Sequence, residues 1–322
     1  MTTEVLRNMI YARSSGLDAV EVVVLDEVHF IQDTYRGPVW EEVIIHLPHH
    51  VQLVCLSATV SNTDEVAEWM TTVRGSTRAV IETRRPVDLD VLFMAADRTS
   101  DSEHLLPVLV NGRPNNDAGR LFDQGVRPRR RGSYRPRARR VFATPARIEV
   151  VDRLQDEDLL PAIYFIFSRN ACDEAAASCV RQGVRLTTPD ERRRIAAIVD
   201  ERLGGLDRDD LDVLGYAQFV TQLEAGVASH HAGLVPPFKE TVEACFVEGL
   251  VKVVFATETL AVGINMPARS VVVEKLSKFT GEHHENLTPG EFTQLTGRAG
   301  RRGLDEIGRA RVGKECRSRW SP

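Results

Sequence analysis

Residues 19–25 read AVEVVVL, a short β-branched apolar run that stops abruptly at Asp26-Glu27-Val28-His29. Runs of this length, apolar at nearly every position, mark strands buried on both faces of a parallel sheet. A helix is predicted over 38–46, and a second buried strand over 51–56 that runs into Ser57-Ala58-Thr59. A helix over 64–72 and short strands over 78–81 and 87–93 follow. The periodicity then lapses between about 98 and 140, where the tract RPRRRGSYRPRARR occupies 127–140.

Alternation resumes after Thr144-Pro145. A helix near 146–154 leads to the strand AIYFIF at 162–167 and a helix over 171–182. Thr188-Pro189-Asp190-Glu191 is a capping box with proline in the first turn, so a helix should run from there to about 203. Thr288-Pro289-Gly290-Glu291 repeats that signature, and strands are predicted near 251–256 and 270–274. Strands alternating with helices give an α/β fold of two parallel-sheet domains, with functional residues at the carboxyl ends of the strands. The expected division is 1–97 for the first domain, 98–143 for an arginine-rich linker or insertion, 144–307 for the second domain, and 308–322 for a tail outside the fold.

Composition narrows this picture. The chain has 322 residues, 43% hydrophobic and 27% charged, which suits two soluble domains with buried cores. Its formal net charge of −5 provides no global basic field, so nucleic-acid binding must come from local patches. No apolar run approaches the roughly 20 residues of a membrane span. The five cysteines form no CxxC pair, and a reduced, cytosolic compartment is expected. The doublets His49-His50, His230-His231 and His283-His284 lack the accompanying cysteine or acidic spacing of a zinc site.

Several motifs carry chemistry. Asp26 and Glu27 sit at the end of a buried strand, where one carboxylate can hold a Mg²⁺ shell and the other orient or deprotonate a water; a bare Asp-Glu pair also occurs in solvated turns. Ser57-Ala58-Thr59 ends the next strand, beside that pair. Gln294-Leu-Thr-Gly297-Arg298-Ala-Gly300-Arg301-Arg302-Gly303 spaces arginines among glycines, so that backbone can approach closely while guanidinium forks meet phosphate. Residues 256–267, ATETLAVGINMP, follow a strand and offer hydroxyls at Thr257 and Thr259 and a glycine at 263.

The motifs DEVH, SAT, FSR (167–169), HHAGL (230–234), ATETLAVGINMPA (256–268) and QLTGRAGRRG (294–303) stand in the order of the superfamily 2 DExH-box helicases. With TTEVLRNM at 2–9, the chain resembles the Ski-like branch, and within it the bacterial HelY-type members, over nearly its whole length. The resemblance implies two RecA-like domains closing on ATP and Mg²⁺, and a 3′-to-5′ track for single-stranded nucleic acid, RNA rather than DNA, in a monomeric motor. It implies that Asp26 and Glu27 coordinate magnesium, Asp26 through water, and activate the attacking water. His29 communicates with the second domain, and Ser57 and Thr59 couple hydrolysis to strand separation. Gln294, Arg298 and Arg301 reach the nucleotide. Thr3, Glu4, Arg7 and Thr257 contact the nucleic acid, while Gly263 and Asn265 face the nucleotide. A DNA-directed relative and a non-catalytic nucleic-acid-binding chain are the alternatives.

Two departures qualify the resemblance. The family's P-loop, GxxxxGK[ST], has no counterpart in the 25 residues before DEVH; the near match at 308–314 lacks the Ser/Thr and a preceding strand. The first domain is therefore expected to be incomplete, and the chain alone to turn over little ATP. After GRRG the family continues into an apolar strand, whereas 308–322 reads as an arginine-rich string and is expected to be non-native.

Overall fold

The computed structural model describes residues 1–33, 36–57, 63–82, 84–97, 102–117, 142–261, 266–279, 283–305 and 307–312. The arginine tract at 127–140 lies outside the described residues, as do 313–322. The chain divides into two compact units, Met1–Arg84 and Arg85–Pro322.

The first unit runs α1 (Thr3–Tyr11), β1 (Val22–Leu25), α2 (Gly37–His46), β2 (Gln52–Cys55) and α3 (Thr63–Arg74). Thr2 caps α1, its hydroxyl accepting the Val5 N–H. β1 and β2 pair in parallel, Val22 opposite Gln52 and Leu25 opposite Cys55. The helices cover one face of this pair around Leu6, Leu25, Trp40, Val43, Ile44 and Met70. Arg74 ties the end of α3 to the segment between α2 and β2, donating to the carbonyls of Leu47, Pro48 and Val51. On the opposite face Val22, Val24, Val54 and Leu56 are exposed, Val24 by 57%.

The second unit holds β3 (Asp88–Asp97), β4 (Ser102–Pro107), a small hairpin of β5 (Leu109–Val110) and β6 (Arg113–Pro114), and β7 (Phe142–Ala143). It continues through α4 (Arg147–Asp156), β8 (Ala162–Phe165), α5 (Arg169–Arg181), α6 (Pro189–Leu203), α7 (Arg208–Val213) and α8 (Tyr216–Ala225). Then come β9 (Val227–His230), α9 (Pro236–Val247), β10 (Val253–Ala256), β11 (Ser270–Val273), a second hairpin of β12 (Ser277–Phe279) and β13 (His284–Asn286), α10 (Pro289–Thr296) and β14 (Ile307–Val312).

The sheet order is β4-β3-β14-β11-β8-β10-β9. The strands from β3 to β9 in that order are parallel to their neighbours; β4 and β7 run antiparallel to β3. Every residue of β8, β9, β10 and β11 is buried. On β8, Ile163 and Phe165 enter one core with Ile195, Phe238 and Val254. Its Ala162 and Tyr164 enter the other, with Val151, Leu154 and Phe255. This is the two-sided burial of an α/β layer fold, as the apolar runs predict.

Four expectations need correcting. Residues 78–81 form no strand, and Val80 and Ile81 are exposed. The break between units falls at 84/85 rather than 97/98, because β3 pairs along six residues with β14 and buries Phe93, Met94 and Ala95. The stretch expected to be an unstructured linker contributes β4 to the sheet. The expected tail also begins inside the fold. β14 lies between β3 and β11 with Ala310 fully buried, and a Cβ on Gly308 would meet the Ala299 and Gly300 backbone at 2.7 Å.

A two-stranded sheet with one bare apolar face is marginal by itself. The double substitution Val22→Thr/Val24→Thr is expected to lower binding of the dye anilinonaphthalene sulfonate by the chain while shifting its melting temperature little. Unchanged dye fluorescence would show that this face is covered.

Candidate functional site

In the first unit the polar residues gather where β1 and β2 end. Leu56 N–H donates to Leu25 O at 2.8 Å and Val28 N–H to Leu56 O at 2.9 Å, so the two strand exits are stitched together. Between them Glu27 adopts φ 59°, ψ 40°, a left-handed conformation uncommon for a residue with a side chain. Such backbone persists where the surroundings impose it, frequently at functional positions. The exposed Asp26 accepts the Glu27 N–H on Oδ1 at 2.9 Å. His29 Nδ1 lies 3.2 Å from Glu27 Oε2 and 3.4 Å from Ser57 Oγ. His29 thus bridges the DEVH and SAT motifs. Thr59 lies outside the described residues.

Thr3, Glu4 and Arg7 share α1, with Thr3 and Arg7 one turn apart on the same face. Leu6 fixes the helix through the core, and Arg7 lies 3.6 Å from Glu42 of α2.

In the second unit, neighbouring strands β8, β10 and β9 deliver FSR, ATET and HHAGL to one edge of the sheet. Thr257 is buried, its hydroxyl 2.9 Å from that of Thr259, and its N–H donates to His230 O at 3.3 Å. Gly263 and Asn265 lie outside the described residues. The polar side chains of β9 and the turn after it are all engaged. Ser229 Oγ donates to Asp173 Oδ1 at 2.6 Å, and His231 Nε2 meets the same oxygen at 2.9 Å. His230 Nε2 pairs with Glu243 at 2.9 Å, while its buried Nδ1 has no hydrogen-bond partner.

α10 begins at the expected capping box: Glu291 N–H donates to Thr288 Oγ1 at 3.2 Å, and Thr288 N–H to Glu291 Oε2 at 2.7 Å. It carries Gln294 into the Gly-Arg loop. That loop is bolted to the segment before β11, with Ala268 N–H donating to Arg298 O and Gly300 N–H to Ala268 O. Gly300 has φ +90°, and a Cβ there would meet Val87 at 2.7 Å, so only glycine fits. Arg298 and Gln294 are half-buried; Arg301 forms a two-pronged ion pair with Asp305.

Residues 1–66 match the family model of the DEAD/DEAH box helicase, and 206–303 that of the helicase conserved C-terminal domain. The chain is 52% identical to the probable helicase HelY of Mycobacterium tuberculosis across 97% of its own length and 35% of the relative's. It is 35% identical to the antiviral helicase SKI2 of Saccharomyces cerevisiae, covering 96% of the chain and 28% of that protein. The chain belongs to the DExH-box helicases. Identity with the human superkiller complex protein 2 is 38%, over 96% of the chain and 25% of that protein. The chain therefore spans about a third or less of the length of these helicases.

Within this helicase chain, the donor set can be tested against magnesium. Among the described residues no group of three or more His, Cys, Asp and Glu side chains could hold a metal. Magnesium commonly keeps several waters and takes one or two carboxylates, with phosphates completing its shell. The adjacent Asp26 and Glu27 fit that role. Among the described residues no helix is long and apolar enough to cross a membrane. Burial pushes the Cys172 thiol up to about 12 and those of Cys55, Cys179 and Cys245 up to about 11, which keeps them as inert thiols at neutral pH.

Sequence reasoning missed two linkages. Lys278, on β12, donates to Glu258 at 2.9 Å and Glu291 at 2.6 Å, joining the turn after β10 to the start of α10. Burial would lower its ammonium, but the two carboxylates hold it above the ordinary lysine range. Asp305 is the second. Neither stands in a recognisable motif, since both partners are distant in sequence or ordinary in type.

Desolvation holds the His230 imidazole below its ordinary value near 6.5, against the opposing pull of Glu243; Lys239 and His231 add to the lowering. A depressed histidine is neutral in the fold, so stability is full above about 6.5 and is lost as pH falls from there toward the folded-state value. The melting temperature should drop as pH is lowered from about 7 to 5.5, and His230→Gln should flatten part of that slope. An identical slope in the variant would show that His230 does not contribute to it.

Proposed function

We propose that the chain is part of the motor of an ATP-driven helicase acting 3′-to-5′ on single-stranded nucleic acid, RNA rather than DNA. The observation that carries this reading is the Glu27–His29–Ser57 cluster where the two strands of the first unit end. Phosphoryl transfer to water needs positioning and electrostatic stabilisation more than covalent chemistry. Asp26, exposed and with Oδ1 tied to the Glu27 N–H, keeps a carboxylate oxygen for the water shell of a magnesium ion. Bound magnesium would draw charge from the phosphate oxygens.

Glu27 is held in one backbone conformation and oriented by His29, as a base for the attacking water must be. A proton on His29 Nδ1 lies within reach of both Glu27 and Ser57, so a change at Glu27 can be felt at the SAT motif. Ser57, with Thr59, is the coupling group in this reading. Gln294, Arg298 and Arg301 are the second unit's nucleotide-contacting groups, with Gly263 and Asn265 beside them. Thr3, Glu4, Arg7 and Thr257 contact the strand. The named activities of the relatives support the substrate class: one is an antiviral helicase, and another, from Arabidopsis thaliana and 35% identical, is a DExH-box ATP-dependent RNA helicase.

In the full gene product, Glu27→Gln is expected to cut strand-stimulated ATP turnover by about 10²–10⁴-fold and to leave single-strand binding intact. Turnover that survives the substitution overturns the assignment. Paired RNA and DNA strands of one sequence, compared by fluorescence anisotropy, decide the substrate: preference for RNA is expected, and equal or tighter DNA binding contradicts it.

A further inference from the structure

Asp305 lies in the turn between the Gly-Arg loop and β14, and its side chain is 2% exposed. Its Oδ2 accepts the Arg301 backbone N–H at 2.8 Å and Nε at 2.9 Å, while Oδ1 accepts Nη2 at 2.9 Å. Arg269 Nε stands 3.7 Å from Oδ1, and Arg269 is itself fixed by Asp158 at 2.8 Å. Burial alone would raise the Asp305 carboxyl. The Arg301 hydrogen bonds and the charges of Arg301 and Arg269 outweigh it and hold the group below the usual carboxylate range. Asp305 is therefore ionised throughout the neutral range.

A guanidinium carries five N–H donors in a rigid fork. Asp305 occupies one edge, taking Nε–H and one hydrogen of Nη2. Among the described residues nothing else takes the two hydrogens of Nη1 or the second of Nη2, and a quarter of the Arg301 side chain is open to solvent. A long flexible side chain is thereby held in one rotamer by a carboxylate that also grips its backbone. The same residue joins the loop to β11 through Arg269, so the fork is referenced to the sheet and not to a mobile turn.

We propose that Asp305 is the positioning residue of Arg301, fixing its guanidinium so that the remaining three donors are presented to a nucleotide phosphate. This rests on the reading of Arg301 as a nucleotide-contacting group. Pre-organised donors act without reorganising when charge develops, and partners one shell out commonly control activity by about 10–100-fold.

Two measurements test it. On the 322-residue chain without nucleotide, phenylglyoxal modification is followed by peptide mass at Arg301, with the exposed Arg302 as internal control. Asp305→Asn should speed modification of Arg301 several-fold and leave Arg302 unchanged; equal rates at Arg301 overturn the proposal. In the full gene product, Asp305→Asn should lower strand-stimulated kcat about tenfold or more with a smaller change in KM for ATP. It should add nothing in an Arg301→Ala background. The same fractional loss in both backgrounds marks a merely structural role and overturns it. Asp305→Glu, which keeps the charge, should fall between; it carries the comparison if the asparagine variant does not fold. Turnover that survives Glu27→Gln defeats the functional reading itself. Normal turnover in Asp305→Asn, with Glu27→Gln inactive, defeats this inference alone.

Discussion

Burial on both faces of a parallel sheet is the constraint on which the second unit depends. With β8, β9, β10 and β11 covered from either side, polar side chains have little place along the strands and collect where the strands end. FSR, HHAGL and ATET consequently emerge at one edge. In the first unit only one face of the sheet is covered, yet the polar groups again follow the strands: β1 ends in Asp26-Glu27 and β2 in Ser57, and the two exits are joined by backbone hydrogen bonds.

The same constraint decides what could be read from the sequence. AIYF, VVFA and VVVL are legible as strands because nothing polar interrupts them, and the two threonine-proline capping boxes mark where α6 and α10 begin. β9 was not legible. Half of Val227–His230 is polar, and only the structure supplies Asp173 to take the Ser229 hydroxyl and Glu243 to pair with Nε2 of His230 inside the core. β14 was hidden for a related reason. Its sequence, IGRARV, alternates arginine with small residues, which reads as a basic string until Gly308 is seen packed on the Ala299–Gly300 backbone. β4 follows an irregular polar stretch and is held by its pairing with β3, which no local pattern announces.

For the site, residue types that gather at strand ends were legible, and the connections between them were not. The Asp-Glu pair, the SAT serine and the Gly-Arg loop stand out by composition and position. That His29 links Glu27 to Ser57, that Lys278 joins Glu258 to Glu291, and that Asp305 holds Arg301 are facts of three-dimensional proximity. The pattern is physically consistent: reacting groups sit on loops, and the charged partners that orient them come from neighbouring elements whose sequence carries no signature.

In the proposed function the contacts to single-stranded nucleic acid fall on α1 and at the carboxyl end of β10, in Thr3, Glu4, Arg7 and Thr257. Hydrogen exchange of the chain, with and without a saturating single-stranded RNA, tests it most directly. Slowed exchange is expected in residues 3–11 and 257–261, with unchanged exchange at the opposite edge, in the segments 157–161 and 248–252 that lead into β8 and β10. Protection confined to that opposite edge would contradict it.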